Sequence, residues 1–160
     1  FSYDASTGFF NASSPDGLKG TYMLLDEASV TGTANVVMAA ALAEGTTTIE
    51  NAAREPEVQD LANLLNCMGA RISGAGSSTL TVEGVEQLHG CRNYPVIPDR
   101  IEAGTFLMAA AITRSTMRVE PVIPEHLNVV LQKLRDSGCN LKVEDEPGST
   151  HDATRKYTHR

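Results

Sequence analysis

The sequence predicts an α/β protein made of two consecutive units, each with the element order β-α-β-α-β-β. The first observation is a repeat, because Met-Ala-Ala-Ala occurs at 38–41 and again at 108–111. The second is that a β-branched stretch follows each copy, and then a Pro-opened helical pattern that ends in glycine, at 56–69 and 124–138. The copies are about 70 residues apart, too far for a solenoid repeat, so each copy belongs to a complete supersecondary unit.

The first half of the first unit is predicted from its β-branched and small residues. A strand is expected at 20–25, and a loop follows at 26–33. The alanine-rich stretch 34–43 predicts a helix, and Gly45 is its expected stop because glycine adopts the left-handed conformation that ends helices. The run 46–50 has the β-branched composition of the next strand.

The second half of the first unit begins with an amphipathic helix at 56–68. Pro56 suits its first turn, and Gly69 is its expected end. Apolar residues recur at helical spacing along it, at positions 58, 61, 64, 65 and 68. A hairpin of two strands, at 70–73 and 79–83, is expected to complete the unit.

The second unit is predicted to repeat this order with one strand missing. Strands are expected at 94–97, 117–120 and 140–144, with helices at 101–113 and from 124 onward. No alternation of apolar residues follows 144, so we expect the second unit to lack its last strand. The predicted organisation is a remnant of a preceding unit at 1–17, the first unit at 18–92, the second at 93–146, and a polar, disordered tail at 147–160.

Composition and charge exclude several classes of function. The formal net charge is −7, which argues against a general nucleic-acid or anionic-membrane surface. The three cysteines have no metal-ligand spacing, so neither a zinc site nor a disulfide framework is predicted. Cys67 is expected to be a buried thiol and Cys91 a loop cysteine. No apolar run could span a membrane and no signal pattern is seen, so we expect a cytoplasmic, reducing compartment, with an organelle stroma as the alternative.

Two groups of polar residues are candidate sites. Gly-Thr pairs near the starts of the alanine-rich helices would place free amides, with the hydroxyls of Ser29, Thr31 and Thr33, where a phosphate could bind. The alternative is that these hydroxyls only cap the helix. Charge clusters at 54–57 and 99–102 could border a substrate cleft, or could compensate helix dipoles. No nucleophile triad or metal motif is present, so no catalytic residue and no metal ligand is assigned from the residues.

Three segments of the sequence resemble a known family. The stretches 29–35, 42–58 and 98–106 resemble the UDP-N-acetylglucosamine 1-carboxyvinyltransferases, a family of enolpyruvyl transferases, and the resemblance is collinear from about 10 to 144. It implies an inside-out α/β barrel of six such units in two domains. This chain would supply the last unit of one domain and the first of the other.

The resemblance also implies a reaction and a partial binding site. The family transfers the enolpyruvyl group of phosphoenolpyruvate to the sugar 3′-hydroxyl of UDP-N-acetylglucosamine, without a metal or other cofactor. Its UDP-sugar loop corresponds to residues 27–31, which are Glu27, Ala28, Ser29, Val30 and Thr31. By the same resemblance Glu55, Glu57 and Arg100 border the cleft. Because the family often has lysine at position 27, the Glu27 carboxylate either weakens nucleotide binding there or leaves it to backbone groups.

The resemblance places the catalytic groups of the family outside this chain. Its phosphoenolpyruvate-binding residues, mobile loop and general base have no counterpart here, so the chain alone is expected to be inactive and to bind UDP-N-acetylglucosamine weakly or not at all. Two hypotheses remain. The chain is a segment of such an enzyme, completed by the remainder of the polypeptide, or it is a non-catalytic module that serves a larger assembly as a structural or binding subunit.

Overall fold

The computed structural model describes residues 1–145 and 155–159, and it divides the chain into two compact units, Phe1–Pro95 and Val96–Arg160. Unit 1 begins with a hairpin of two strands, β1 (Ser2–Asp4) and β2 (Phe9–Asn11). No helix in the described part of the chain is long and apolar enough to cross a membrane.

The rest of unit 1 is a four-stranded mixed sheet with two helices. The strands are β3 (Tyr22–Leu24), β4 (Thr46–Glu50), β5 (Arg71–Ser73) and β6 (Thr79–Glu83), and their order in the sheet is β3-β4-β6-β5. Only the β3–β4 pair is parallel. Helices α1 (Val30–Ala40) and α2 (Pro56–Cys67) share one core with this sheet, which includes Val37, Ile49, Val58, Leu80 and Val82.

Unit 2 has a smaller core and a three-stranded sheet. Helix α3 (Arg100–Thr113) leads to β7 (Met117–Val122), a 3-10 turn (Pro124–Leu127) and α4 (Asn128–Asp136). Strands β8 (Leu141–Asp145) and β9 (Arg155–His159) complete the sheet, whose order is β7-β9-β8. The core consists of Ala103, Leu107, Val122, Leu127, Leu131 and Leu134.

The two sheets have the same topology over three strands. In unit 2, β7, β9 and β8 take the places that β4, β6 and β5 take in unit 1, and β9 is antiparallel to both of its neighbours. Within the residues that the structure describes, unit 2 therefore has a closing strand and lacks a counterpart of β3. The predicted α/β fold of the unit is confirmed. The sequence pattern predicts that unit 2 lacks its last strand, whereas the described residues lack its first strand instead.

Two predictions for unit 2 are wrong, and the first concerns the strand predicted at 94–97, which does not form. Asn93 has a positive φ of 57°, which interrupts an extended run. Pro95 and Pro98 lack the amide hydrogens that a strand ladder uses. The apolar residues at 96 and 97 resemble a strand pattern, but the prolines on both sides of them disfavour a strand there.

The second error concerns the end of the chain, where a disordered tail and no strand were predicted. For 155–159 that prediction is wrong, because this segment pairs through its backbone with β7 on one side and β8 on the other. A strand paired on both sides is stabilised by two hydrogen-bond ladders and does not need apolar alternation along its own sequence. The remaining predicted tail residues, 147–154 and 160, lie outside the described residues.

The cysteines also differ from prediction. Cys67 is exposed rather than buried, and it forms a disulfide with Cys91, with 5.5 Å between the Cα atoms. The sequence spacing of 24 residues did not indicate this pair. The two residues meet because the chain returns to the end of α2, where the amide of His89 donates to the carbonyl of Met68 at 2.8 Å. Cys139 is a free, half-buried cysteine beside the core of unit 2.

Candidate functional site

The parallel pairing of β3 and β4 brings two helix starts to one edge of the unit 1 sheet. Both strands end at the same edge, and each leads directly into a helix, β3 into α1 and β4 into α2. Amides at a helix start carry partial positive charge and have no acceptor within the helix. The edge therefore presents two such starts close together, and most of the predicted site residues of unit 1 lie there.

The start of α1 carries the loop that the resemblance assigns to the UDP-sugar. Glu27, Ala28, Ser29 and Thr31 are exposed, whereas Val30 is half-buried against the core. Ser29 is the N-cap, and its Oγ accepts a hydrogen bond from the amide of Gly32 at 3.1 Å. The capping alternative is thus correct for Ser29, and it leaves the first-turn amides of Val30 and Thr31 without an acceptor inside the helix.

The position of the Gly-Thr pairs differs from prediction. Helix α1 begins at Val30, four residues before the predicted start, because Ser29 caps it there. Gly32 consequently lies inside the first turn and not in a loop. The second pair, Gly104-Thr105, lies one turn inside α3, where Gly104 is buried and Thr105 Oγ1 donates to the carbonyl of Ile101 at 2.8 Å.

Thr33 has a structural role and does not line the site. Its side chain is fully buried, and its Oγ1 accepts a hydrogen bond from the amide of Ala53 at 3.0 Å. This bond joins α1 to the segment between β4 and α2. Thr33 was predicted to offer a hydroxyl to a ligand, and that prediction is wrong because the hydroxyl faces the core of unit 1.

Asn51 is a residue of this edge that the sequence analysis missed. Its backbone is left-handed, with φ 56°, and its side-chain Nδ2 donates to the carbonyl of Leu25 at 2.9 Å. The loop after β4 is thereby fixed to the loop after β3. An available signal was an asparagine directly after a β-branched strand, since asparagine adopts the left-handed conformation more readily than most residues.

Glu55 and Glu57 lie at the start of α2, at the same edge. Glu55 occupies the N-cap position, but its side chain makes no capping bond, and Glu57 is half-buried in the first turn. Among the described residues, the Oε2 atom of Glu55 is buried without a hydrogen-bond partner. A buried carboxylate oxygen left unsatisfied is costly, so Glu55 is suited to a donor from outside the described residues.

Arg100 belongs to the corresponding helix start of unit 2. It is the first residue of α3 and is half-buried. The preceding Asp99 caps the helix, and its Oδ1 accepts from the amides of Ile101 at 2.7 Å and Glu102 at 3.1 Å. The dipole-compensating role is therefore correct for Asp99. Glu55 and Glu57 belong to unit 1, so a border that they share with Arg100 stays a prediction.

A groove of about 510 Å³ lies beside this helix start, between α3 and β7. Its charged lining includes Asp99, Glu102, Arg118 and Glu120, and Arg118 Nε is 2.9 Å from Glu120 Oε2. The groove contacts β7, which has no counterpart of β3 beside it in the described part of unit 2. Its mixed charge does not select one ligand class.

Comparison with known proteins assigns the chain to a family of carboxyvinyltransferases. The model of the EPSP synthase (3-phosphoshikimate 1-carboxyvinyltransferase) family matches residues 6–159, and the chain belongs to that family. Within it, the UDP-N-acetylglucosamine 1-carboxyvinyltransferase of Prochlorococcus marinus (strain MIT 9313) is 67% identical over 139 residues, which are 84% of this chain and 32% of that protein. The enzyme of the same name from Synechococcus sp. (strain CC9605) is 64% identical over 140 residues, covering 86% of this chain and 32% of that protein.

These relatives confirm the resemblance seen in the sequence, and this chain spans about a third of their length. Among solved structures, the enolpyruvyl transferase NikO from Streptomyces tendae matches with a TM-score of 0.66 and 22% identity, over 88% of this chain and 35% of that chain. At that identity the match supports the fold alone, and it confirms the predicted α/β fold of an enolpyruvyl transferase.

Proposed function

We propose that this chain is a segment of an enolpyruvyl transferase that moves the enolpyruvyl group of phosphoenolpyruvate to the 3′-hydroxyl of UDP-N-acetylglucosamine. The observation that carries the proposal is the 67% identity to a UDP-N-acetylglucosamine 1-carboxyvinyltransferase, in a chain whose family model matches nearly from end to end. The reaction would serve peptidoglycan precursor synthesis in the cytoplasm. The segment would contribute part of the UDP-sugar site.

The start of α1 suits the diphosphate of a UDP-sugar. Its first-turn amides and the positive end of the helix dipole attract an anion, and residues 27–29 before it are exposed to an incoming ligand. The Glu27 carboxylate lies beside this position and opposes a second negative charge. Binding would therefore rest on the backbone amides of Val30 and Thr31 more than on side-chain charge.

The start of α2 suits the sugar. A carboxylate oxygen accepts hydrogen bonds from hydroxyl groups, and Glu55 Oε2 is buried without a partner in the described part of the chain. The bonds from Ala53 to Thr33 and from Asn51 to Leu25 hold this helix start against the loop of Glu27–Val30. We assign Glu55, Glu57 and Arg100 to the border of the cleft and assign no catalytic step to any of them.

The test is a titration of the chain with UDP-N-acetylglucosamine, followed by nuclear magnetic resonance shifts of the backbone amides. Shifts confined to 27–35 and 53–57 are expected, because these amides adjoin the two helix starts. Glu27→Lys should tighten binding about three- to tenfold, since it exchanges repulsion for attraction near a diphosphate. Glu44→Lys is the matched control, because it makes the same change of charge at an exposed position beyond the other end of α1.

A second hypothesis is a non-catalytic module that serves a larger assembly, and Glu27 is the residue that favours it. The same titration separates the two functions. Shifts at the two helix starts would favour the enzyme segment, and silence at millimolar ligand in both the parent chain and Glu27→Lys would contradict a retained UDP-sugar site in the isolated chain. Equal tightening by Glu27→Lys and Glu44→Lys would show that net charge alone acts, and would remove the assigned site.

A further inference from the structure

A pair of disulfide-bonded cysteines lies where the chain leaves unit 1. Cys67 ends α2 and is exposed, and Cys91 is half-buried in residues 84–95, which form no helix or strand and are called the strap below. The Cα atoms of the two cysteines are 5.5 Å apart. This separation falls within the roughly 4.4–6.8 Å that a disulfide requires, so the bond forms without moving the backbone.

Contacts other than the disulfide hold the two cysteines close together. The amide of Val85 donates to the carbonyl of Ala41 at 2.9 Å, and the amide of His89 donates to the carbonyl of Met68 at 2.8 Å. Leu88 packs against the core of unit 1. These contacts bring the strap to the end of α2 whether or not the sulfurs are bonded, so the reduced thiols remain neighbours at high effective concentration.

A second anchor lies beyond Cys91. The hydroxyl of Tyr94 is 2.9 Å from the backbone carbonyl of Asp60 and 2.8 Å from its carboxylate Oδ1, and both atoms belong to α2. The cross-link to Cys67 therefore lies between two hydrogen-bonded contacts of the strap with α2. A disulfide at this point fixes the strap to the helix. When the disulfide is reduced, the strap is held by the hydrogen bonds and by the packing of Leu88.

We propose that Cys67 and Cys91 form a reversible redox site that locks the strap to α2 when oxidised and lets it open more often when reduced. The co-reactant is a low-molecular-weight disulfide of the glutathione type. The Cys67 thiolate attacks one sulfur of that disulfide, forms a mixed disulfide and releases one thiolate. The Cys91 thiolate then attacks the Cys67 sulfur and releases the second. Two protein thiols are oxidised, one external disulfide is reduced to two thiols, and the two protein protons pass to the released thiolates.

The site acts on the connection between the two units. The strap ends at residue 95, and unit 2 begins at residue 96. When the disulfide is closed, the strap is fixed to α2, whereas in the reduced state the strap can open and become a longer connection to unit 2. The two sulfurs lie at the opposite end of α2 from Glu55, about 18 Å away for a helix of this length, so the redox site is separate from the proposed sugar site.

The experiment equilibrates the chain with mixtures of reduced and oxidised glutathione, blocks free thiols with iodoacetamide and measures the mass. Oxidising mixtures should yield a form carrying one carbamidomethyl group, at Cys139, and dithiothreitol should restore labelling of all three cysteines. Hydrogen exchange of the strap amides should be about tenfold or more slower in the oxidised form, because a closed loop opens less often.

Two variants make the result specific. Cys139→Ser should show the same transition as the parent, while Cys91→Ser should exchange its strap amides like the reduced parent under every condition. Full labelling of all three cysteines in oxidised glutathione would overturn the proposal, and so would a stable glutathione adduct on Cys67. Equal exchange of the strap amides in the oxidised and reduced parent would also overturn it, because the disulfide would then fix nothing.

Discussion

Three hydroxyl residues at the start of α1 show how partner and burial set the role of a side chain. Ser29 is exposed and caps the helix, Thr31 is exposed, and Thr33 is buried and accepts a hydrogen bond from Ala53. The hydroxyl cluster itself was predictable from the sequence. Which hydroxyl faces inward was not, because that depends on the residue at which the helix begins and on what packs beneath it.

Tyr94 is the residue whose ionisation reports on the strap. Burial, together with the hydrogen bond and negative charge of Asp60, raises the pKa of Tyr94 to about 12 from its ordinary value of 10.0. A raised pKa means that folding favours the protonated phenol. The stability from this group is thus complete below about pH 10 and is lost as the pH rises toward about 12.

We expect Tyr94→Phe to remove the phenolate absorbance that develops near pH 12, and to weaken unit 1 by about 1 kcal/mol at neutral pH, the worth of one hydrogen bond. The difference in unfolding free energy between parent and variant should shrink above pH 10. Absorbance titration and urea unfolding at each pH measure the two effects. Tyr22→Phe, at an exposed position of β3, is the control, and loss of the same absorbance step in that variant would contradict the assignment.

At the scale of elements, the sequence predicts the ends of α2 and α4 closely but misplaces both ends of α1 and two of the strands. Gly69 and Gly138 were expected to end helices, and each follows a helix C-cap with positive φ, at 98° and 86°. Gly45 also has positive φ, at 91°, but α1 ends at Ala40, five residues before it. Caps and stops are local, so a single sequence reveals them. The strands at 94–97 and 155–159 were predicted wrongly because pairing depends on a distant neighbour and on the amide hydrogens available to it.

Two of these glycines form a matched pair for a substitution test. Gly69 follows α2, and a Cβ built on it would be 2.9 Å from His89 Nε2, in the strap. Gly138 follows α4, and nothing lies within 4 Å of its Cβ position. Alanine at either site incurs the left-handed penalty of about 1–2 kcal/mol, but only Gly69→Ala also displaces His89.

We therefore expect Gly69→Ala to cost up to about 0.5–1 kcal/mol more than Gly138→Ala, because the exposed imidazole of His89 must move aside. Hydrogen exchange of the core amides measures the opening free energy of each unit separately. Adding His89→Ala to Gly69→Ala should recover the excess and leave the left-handed penalty. Equal costs for Gly69→Ala and Gly138→Ala would show that the strap yields freely at His89.

At the scale of the whole molecule, the Met-Ala-Ala-Ala repeat has an outward and an inward side. Val37 and Ala40 are buried in unit 1 as Leu107 and Ala110 are in unit 2, whereas the methionine of each copy is 46% exposed. Leu42 and Ile112, four residues after the methionines, are 55% and 83% exposed. The repeat thus encodes exposed apolar residues on α3, and at and just beyond the end of α1, that the core of each unit does not use.

The exposed apolar face of α3 should govern how the chain behaves in concentrated solution. Adjacent large apolar side chains on one helix face favour self-association, whereas scattered ones do not. Met108→Gln with Ile112→Gln should reduce concentration-dependent association about tenfold in sedimentation velocity, and should change stability by less than about 0.5 kcal/mol because both side chains are exposed. Val129→Gln is the control, since Val129 is 75% exposed on α4. Association that persists in the double variant, or that Val129→Gln removes equally, would contradict a role for this face. A positive result would mean that the copy of the motif on α3 has two roles. One side packs in the core of unit 2, and the other side forms an apolar contact surface.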